Sequence, residues 1–230
     1  MTVSVLMPVY NTNPEHLKLS IDSVLGQTYQ DFEFVIVNNG STNEETVSVL
    51  KQIESNEKVK IVDCPQQENK KNLSVALNHG LLHCSHELVA RIDSDDTMQP
   101  HRLQMQVDFM KTNENVVVCG GQMQHMGDEL VTSLTEEIDE FYYFHDTHIV
   151  NHPTVMFRKS SILSIGGYVE TPDHIPEDFL LWVKVLRNGW KIRNLQDIIV
   201  NYRESNTESL SHTDSKHENW NKAIQSVIYN

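Results

Sequence analysis

Cysteine is scarce and poorly placed for cross-linking: Cys64, Cys84 and Cys119 are odd in number and scattered, with no CxxC spacing. That argues against a disulfide framework and against a structural zinc site, and it fits a reducing, cytoplasmic compartment. Basic residues are also in short supply. Lys and Arg number 18 against 32 Asp and Glu, which leaves a formal net charge of -14 and a pI near 5.2. This argues against nucleic acid or an anionic membrane as partner, because their affinity comes from neutralising many phosphates. No apolar run approaches the roughly 18 residues of a membrane span. The N-terminus enters VSVLMPVYN without a basic segment and apolar signal core. The expectation is therefore a soluble chain with no transmembrane segment and no secretion signal of its own. Repeats, low-complexity tracts and Pro/Gly/Ser-rich linkers are missing too, so one domain with two lobes is expected over 1–230.

What is present is a strong alternation. With 230 residues and 39% hydrophobic residues the chain can build a sizeable core,. VSVLMPV is followed by PEHLKLSIDSVLGQ, with Leu17, Ile21, Val24 and Leu25 on one helical face, and then by FEFVIV,. The rhythm continues through STNEETVSVLKQIE, where Ser41 and Glu44, or Thr42 and Glu45, have capping-box spacing,. VKIVDC, LSVALNHGLLHC and ELVARI complete four strands alternating with three helices, which predicts an α/β fold with a mainly parallel, Rossmann-like sheet flanked by helices,.

Ligands of such sheets bind beyond the carboxyl ends of the strands. Three polar clusters fall there: Tyr10-Asn11, Asn38-Asn39-Gly40-Ser41, and Asp93-Ser94-Asp95-Asp96. The last is the most demanding. Two carboxylates about 4 Å apart repel by roughly 4 kcal/mol at an effective dielectric of about 20, so a cation is expected beside them. Oxygen-rich loops of this kind suit Mg²⁺ or Mn²⁺.

The second half is less regular. PHRLQMQVDFM predicts a helix and VVVCGG a strand, and TVMF, EDFLLWVKVLRNG and IIVNYR predict strand, helix and strand,. Residues 122–151 are polar and weakly patterned, with a short helix expected around EEIDEFYYFHD, and DSKHENWNKAIQSVIYN reads as a terminal helix. Glu177 and Asp178 open the EDFLLW helix, where the positive end of the dipole favours carboxylates.

VSVLMPVYN, SVLGQTYQDFEFVIVNNGST, ALNHGL, ARIDSDD with PHRL, NHPTVMFR, GGY, PEDFLLW and NYR follow one another in order over residues 3 to 212. The series resembles the family-two glycosyltransferases of the GT-A fold. The resemblance implies transfer of a sugar from a nucleoside-diphosphate sugar to a hydroxyl acceptor such as a glycan, with inversion and with Mn²⁺ or Mg²⁺. It implies a nucleotide-sugar-binding half over 1–100, a smaller acceptor-side lobe over 101–212 and a helix over 213–230.

Carried onto this sequence, the resemblance places Pro8, Tyr10 and Asn11 around the base. Asp93 and Ser94 fall on the nucleotide side, Asp95 on the metal, and Asp96 in support of the loop or facing the sugar. Asn38 stands where the family usually has an Asp that accepts from the uracil imino group; an Asn carbonyl accepts the same bond and its amide could equally pair with a cytosine or guanine edge, with uridine the first expectation. Lys70 and Lys71 fall in a region that often touches the nucleotide, and Asn78 in one that orders the donor site. Asp178 aligns with the general base and Glu177 with its partner. After the last strand, Arg203 and His212 are candidates to close over the diphosphate or complete the metal shell. His152, before Pro153, is expected to pack beneath the active site.

Two other readings compete. DSDDT also fits the D-x-D-x-T motif of haloacid-dehalogenase-like phosphohydrolases, with Asp93 as nucleophile, Asp95 as acid/base and Thr97 behind them, although that motif usually sits on a first strand. A sugar-nucleotide-binding protein without catalysis would dispense with the Glu177-Asp178 pair.

Overall fold

The computed structural model describes residues 1–65, 72–138, 149–170 and 177–204. The first half alternates as the periodicity demands: β1 (Val3–Val9), α1 (Pro14–Leu25), β2 (Phe32–Asn38), α2 (Glu44–Ile53), β3 (Val59–Asp63), α3 (Leu73–His83) and β4 (Leu88–Arg91). Then come β5 (Thr97–Met98), α4 (Arg102–Thr112), β6 (Val116–His125), β7 (Glu137–Ile138), a 3-10 turn at His152–Thr154, β8 (Met156–Arg158), α5 (Lys159–Ser164), α6 (Glu177–Arg187) and β9 (Lys191–Tyr202).

The strands form one sheet in the order β3-β2-β1-β4-β8-β6-β9-β5, with β7 paired to β9. β3, β2, β1 and β4 run parallel, and β8 enters antiparallel between β4 and β6. β6 and β9 are parallel again, with bulges that let β9 advance four positions, from Asn194 to Ile198, while β6 advances two, from Gly120 to Gln122,.

Both faces of the sheet are covered, which is why the strands read as continuous apolar runs rather than alternating ones. Leu6, Val35 and Val37 pack with Leu77 and Leu81 of α3, while Val5, Met7, Phe34 and Ile36 pack with Leu17, Ile21 and Val24 of α1. Gly80 permits the first contact: a Cβ there would lie 2.3 Å from Leu6 and 2.8 Å from Val37.

Two expectations change. The cap of α2 is Asn43, whose side chain accepts from the Thr46 N–H, and not Ser41 or Thr42. Both of those residues precede the cap, and the Asn11 side chain holds the backbone there. The short helix expected around EEIDEFYYFHD falls mostly on residues 139–148, which lie outside the described ones; at its start Glu137 and Ile138 form β7 beside Arg193 and Ile192. Finally, β6 runs to His125 and so carries strand into a stretch that looked unpatterned.

Candidate functional site

The carboxyl ends of β1, β2 and β4 release three loops that are stitched to one another. Asn11 takes a left-handed backbone, φ 47°. Its Oδ1 accepts from the N–H groups of Thr42 (2.7 Å) and Asn43 (2.9 Å), and its own N–H donates to Ser41 Oγ. Thr46 Oγ1 donates to Thr12 O, Thr12 and Ser94 share a hydrogen bond of 2.6 Å, and Ser20 Oγ donates to Asp93 O. A polar, hydrogen-bonded rim results, held rigid by the sheet below.

Within this rim lies a cleft of about 670 Å³ lined by Pro8, Tyr10, Asn39, Asp93, Asp95 and Arg203, among others. Ser94 also lines it. Asn11 and Asn38, which the sequence places around the nucleotide, do not line it, and neither do Asp96, Glu177 and Asp178. The amide of Asn38 donates to Asp63 Oδ1 at 2.8 Å while its carbonyl accepts from the Ser41 N–H at 3.0 Å, so both ends are committed to the scaffold. The neighbour Asn39, buried and lining the cleft, is the amide that sequence reasoning passed over. Strand parity is the signal that could have found it, because adjacent residues leaving a strand face opposite ways. Lys70, Lys71 and His212 lie outside the described residues. An adjoining cavity of about 800 Å³, between α1, β5 and the turn at 126–129, shares Arg203 as its wall but contains none of the acidic triplet.

The cation demanded by the triplet is partly built in. Arg91, buried in β4, forks onto Asp93 with both terminal nitrogens at 2.5 Å from its two carboxylate oxygens. Positions 91 and 93 share a face by the two-residue period of a strand, a signal present in ELVARID that went unread. Burial alone would lower the Arg91 pKa; Asp93 reverses this and keeps it raised. Asp96 is fully buried, accepts the Arg203 N–H at 2.7 Å through Oδ1, and leaves Oδ2 without a hydrogen-bond partner. Its pKa is driven well up by burial and by Asp93. Asp95 is raised by the same two causes while lining the cleft. Arg203 Nε donates to Asp95 O, clasping the loop from the far side. Among the described residues no three His, Cys, Asp or Glu side chains converge as a ready metal cage.

The acid pair stands deeper. Glu177 and Asp178 open α6, where Asp178 Oδ1 accepts the Phe179 N–H at 2.8 Å. Burial raises both carboxyl pKa values; for Asp178 the neighbouring Glu177 adds to this, and His152 and Arg91 oppose it. His152 lies 3.5 Å from Glu177 through Nδ1 and feels both Asp178 and Asp93, so it links the pair to the triplet. Burial and Arg91 push His152 down to about 3, so its contact with Glu177 involves a neutral ring. His152 thus packs beneath the site, as expected. Asn78 donates to Tyr168 O and accepts the Tyr168 N–H, fixing the GGY turn against α3.

The chain is similar to several known glycosyltransferases. An uncharacterised glycosyltransferase of Haemophilus influenzae is 34% identical over 215 residues, 90% of this chain and 77% of that protein. The O-antigen biosynthesis glycosyltransferase WbnJ of Escherichia coli is 34% identical over 89% of this chain and 80% of its own length. The E. coli UDP-Gal:alpha-D-GlcNAc-diphosphoundecaprenol beta-1,3-galactosyltransferase is 31% identical over 88% and 74%. Among solved structures, residues 1–349 of S. aureus TarS in complex with UDP-GlcNAc superpose with a TM-score of 0.78 at 19% identity, covering all of this chain and 67% of that one. The mannosyltransferase PcManGT of Pyrobaculum calidifontis, in complex with GDP-Man and Mn²⁺, gives 0.66 at 17% identity over 98% and 61%. This chain spans only 37% of a longer TarS structure. The fold is therefore of the GT-A type. A phosphohydrolase is not favoured, since the acidic motif follows the fourth strand here and not the first. The sequence profile described as Glycosyl transferase family 2 matches residues 4–186, a span that holds both the acidic loop and the buried acid pair, and the chain belongs to that family.

Proposed function

We propose that this glycosyltransferase moves a sugar from a UDP-sugar to a hydroxyl of a glycan acceptor with inversion, assisted by Mn²⁺ or Mg²⁺. The observation that carries the reading is the gathering in one cleft of Pro8, Tyr10 and Asn39 with Asp93, Asp95 and Arg203. Tyr10, 47% exposed, offers a ring face to a base,. Asn39 offers an amide donor and acceptor, a role that Asn38, bound to Asp63 and Ser41, is not placed to fill. Uridine is supported by the UDP-Gal in one relative's name and by the TarS complexes with UDP and UDP-GlcNAc.

The donor set fits a hard divalent cation, which is held by one or two carboxylates plus substrate phosphates. Asp95 presents its carboxylate to the cleft, the buried Asp96 Oδ2 lacks a partner, and His212 is the further candidate. When bound, such an ion stabilises charge on a departing diphosphate. Arg203 brings a fixed positive charge to the same wall. Asp178 takes the proton of the acceptor hydroxyl, and burial makes its carboxylate a stronger proton acceptor than an exposed one. A general base of this kind is worth about 10²- to 10⁴-fold. Glu177 binds or orients the acceptor beside it. The division into a donor half at 1–100 and an acceptor half at 101–212 follows from this; the helix expected over 213–230 lies outside the described residues. No described helix is long and apolar enough to cross a membrane, and the acidic charge together with buried Cys64, Cys84 and Cys119 suits a cytoplasmic enzyme.

Calorimetric titration with UDP, GDP, CDP and ADP, each with and without Mn²⁺, tests the reading. UDP should bind best and only with the metal. Equal binding of all four would remove the base from the proposal, and no binding of any would remove the site.

A further inference from the structure

His152 is held with unusual care for a residue assigned no chemistry. It opens the 3-10 turn whose carbonyls are gripped from below: Arg102 donates to Pro153 O at 2.8 Å and Gln106 to Thr154 O at 2.8 Å. Trp182, one turn along α6 from Asp178, sets its ring edge-on at 6.0 Å from the imidazole. On one side Nε2 lies 3.0 Å from the Tyr168 hydroxyl, and on the other Nδ1 lies 3.5 Å from Glu177 Oε1. Tyr168 is itself immobilised by Asn78, and Gly167 before it, at φ 66°, leaves no space for a Cβ, which would stand 2.5 Å from Asn78 Oδ1. Arg91, Asp93 and Asp178 complete the charged surroundings.

Proton accounting then assigns a direction. A neutral imidazole carries one N–H, and the hydrogen bond at one ring nitrogen decides where it sits. Tyr168 is almost fully buried, and a buried hydroxyl gives its proton to an acceptor,. His152 Nε2 is the acceptor within reach. We propose that His152 is a positioning residue for the acid pair: the Tyr168 hydroxyl fixes it as the Nδ1–H tautomer, and Nδ1–H, on the side of the ring 3.5 Å from Glu177 Oε1, orients Glu177 beside Asp178. The proposal rests on Glu177 and Asp178 being the acceptor-side acids. A neutral ring suits the task, because an imidazolium at this place would stabilise the Asp178 carboxylate and weaken it as a base. Orientation is supplied without that loss.

The tautomer can be read directly. Long-range ¹H–¹⁵N spectra of the imidazoles, with His152 identified by its disappearance in His152→Asn, should show protonated Nδ1 and unprotonated Nε2. In Tyr168→Phe the hydroxyl that dictates the choice is gone, and a population with protonated Nε2 should appear. Turnover is followed as UDP release from UDP-galactose and UDP-GlcNAc. His152→Leu should lower kcat by about 10-fold or more, the scale of a misplaced catalytic group, with the donor KM within about 2-fold. His152→Asn can set an amide N–H near the Nδ1 position and should recover most of that loss, to within about 3-fold of the parent on the same scale. Circular dichroism and melting curves confirm that each variant is folded. An Nε2–H tautomer in the parent protein overturns the proposal, as does a folded His152→Asn no more active than His152→Leu. The underlying reading fails separately: near-normal turnover in Asp178→Asn overturns the acid pair whatever the tautomer.

Discussion

Two acidic clusters of the molecule are supplied with counter-charge in different ways. In the loop after β4, Asp93 is 32% exposed and clasped by Arg91, and the loop is tied by Arg203, Thr12 and Ser20. At the start of α6, Glu177 and Asp178 lie close to His152, and burial, not a paired cation, raises both carboxyl pKa values. The first cluster carries a counter-charge at Asp93, while Asp95 and Asp96 beside it are raised by burial and by Asp93. The second has no paired cation, and burial makes carboxylates that hold a proton more tightly,.

Removing the built-in cation should break the contrast most severely. Arg91→Met strands Asp93 and a buried cavity; loss of a buried pair's partner costs about 3–5 kcal/mol, and the partial exposure of Asp93 points to the lower end,. Urea unfolding measures it. Next, Asp178→Asn should reduce turnover by at least about 10²-fold while leaving nucleotide affinity nearly unchanged, as calorimetry and UDP release would report. Asp95→Asn should weaken Mn²⁺-dependent UDP binding by about 10-fold, roughly 1.4 kcal/mol, with an unaltered melting temperature without ligand. Unchanged metal dependence would unseat Asp95.

The pH dependence sharpens the same contrast. With Asp178 as the proposed base, its raised folded pKa should set the acid limb of kcat above the ordinary aspartate range, with activity lost as pH falls through it. For stability, a raised carboxyl means that the folded state binds more protons than the unfolded one. Asp178, Glu177 and Asp96 therefore cost stability as pH rises from the ordinary carboxyl value to the raised one,. His152 acts with the other sign: held down at about 3, it costs stability as pH falls below the unfolded value of about 6.5,. His152→Asn should flatten that acid-side loss in thermal melts recorded from pH 7 to 5. The smallest effect expected is that of Asn43→Ala, about 1 kcal/mol for an N-cap,.

Much of the fold was legible because its signals are local. FEFVIV and ELVARI are apolar runs of strand length bounded by polar turns, and PEHLKLSIDSVLGQ repeats its apolar residues at helical spacing. The site was legible where a motif is compact, as in DSDD and PED. It was not legible where meaning depends on parity or distance. Asn38 and Asn39 differ only in which side of the strand end they face. His152 meets Tyr168 and Glu177 across 16 and 25 positions of sequence, joined by packing that no period encodes. Likewise the crowded charge of the triplet looked like a request for a metal alone, and Arg91 answers part of it.

β9 gives the enzyme a ruler. It starts just after the helix that carries Asp178, runs 12 residues from Lys191 to Tyr202, and delivers Arg203 to the cleft beside Asp93 and Asp95. At about 3.3 Å per residue that is close to 40 Å of backbone, with its largest slack at the register shift between Asn194 and Ile198. Length changes along it have unequal outcomes. A residue added or removed within the bulge has somewhere to be absorbed. The same change past Ile199 would turn every later side chain to the opposite face, and the guanidinium of Arg203 would point away from the cleft with the rest of the fold intact.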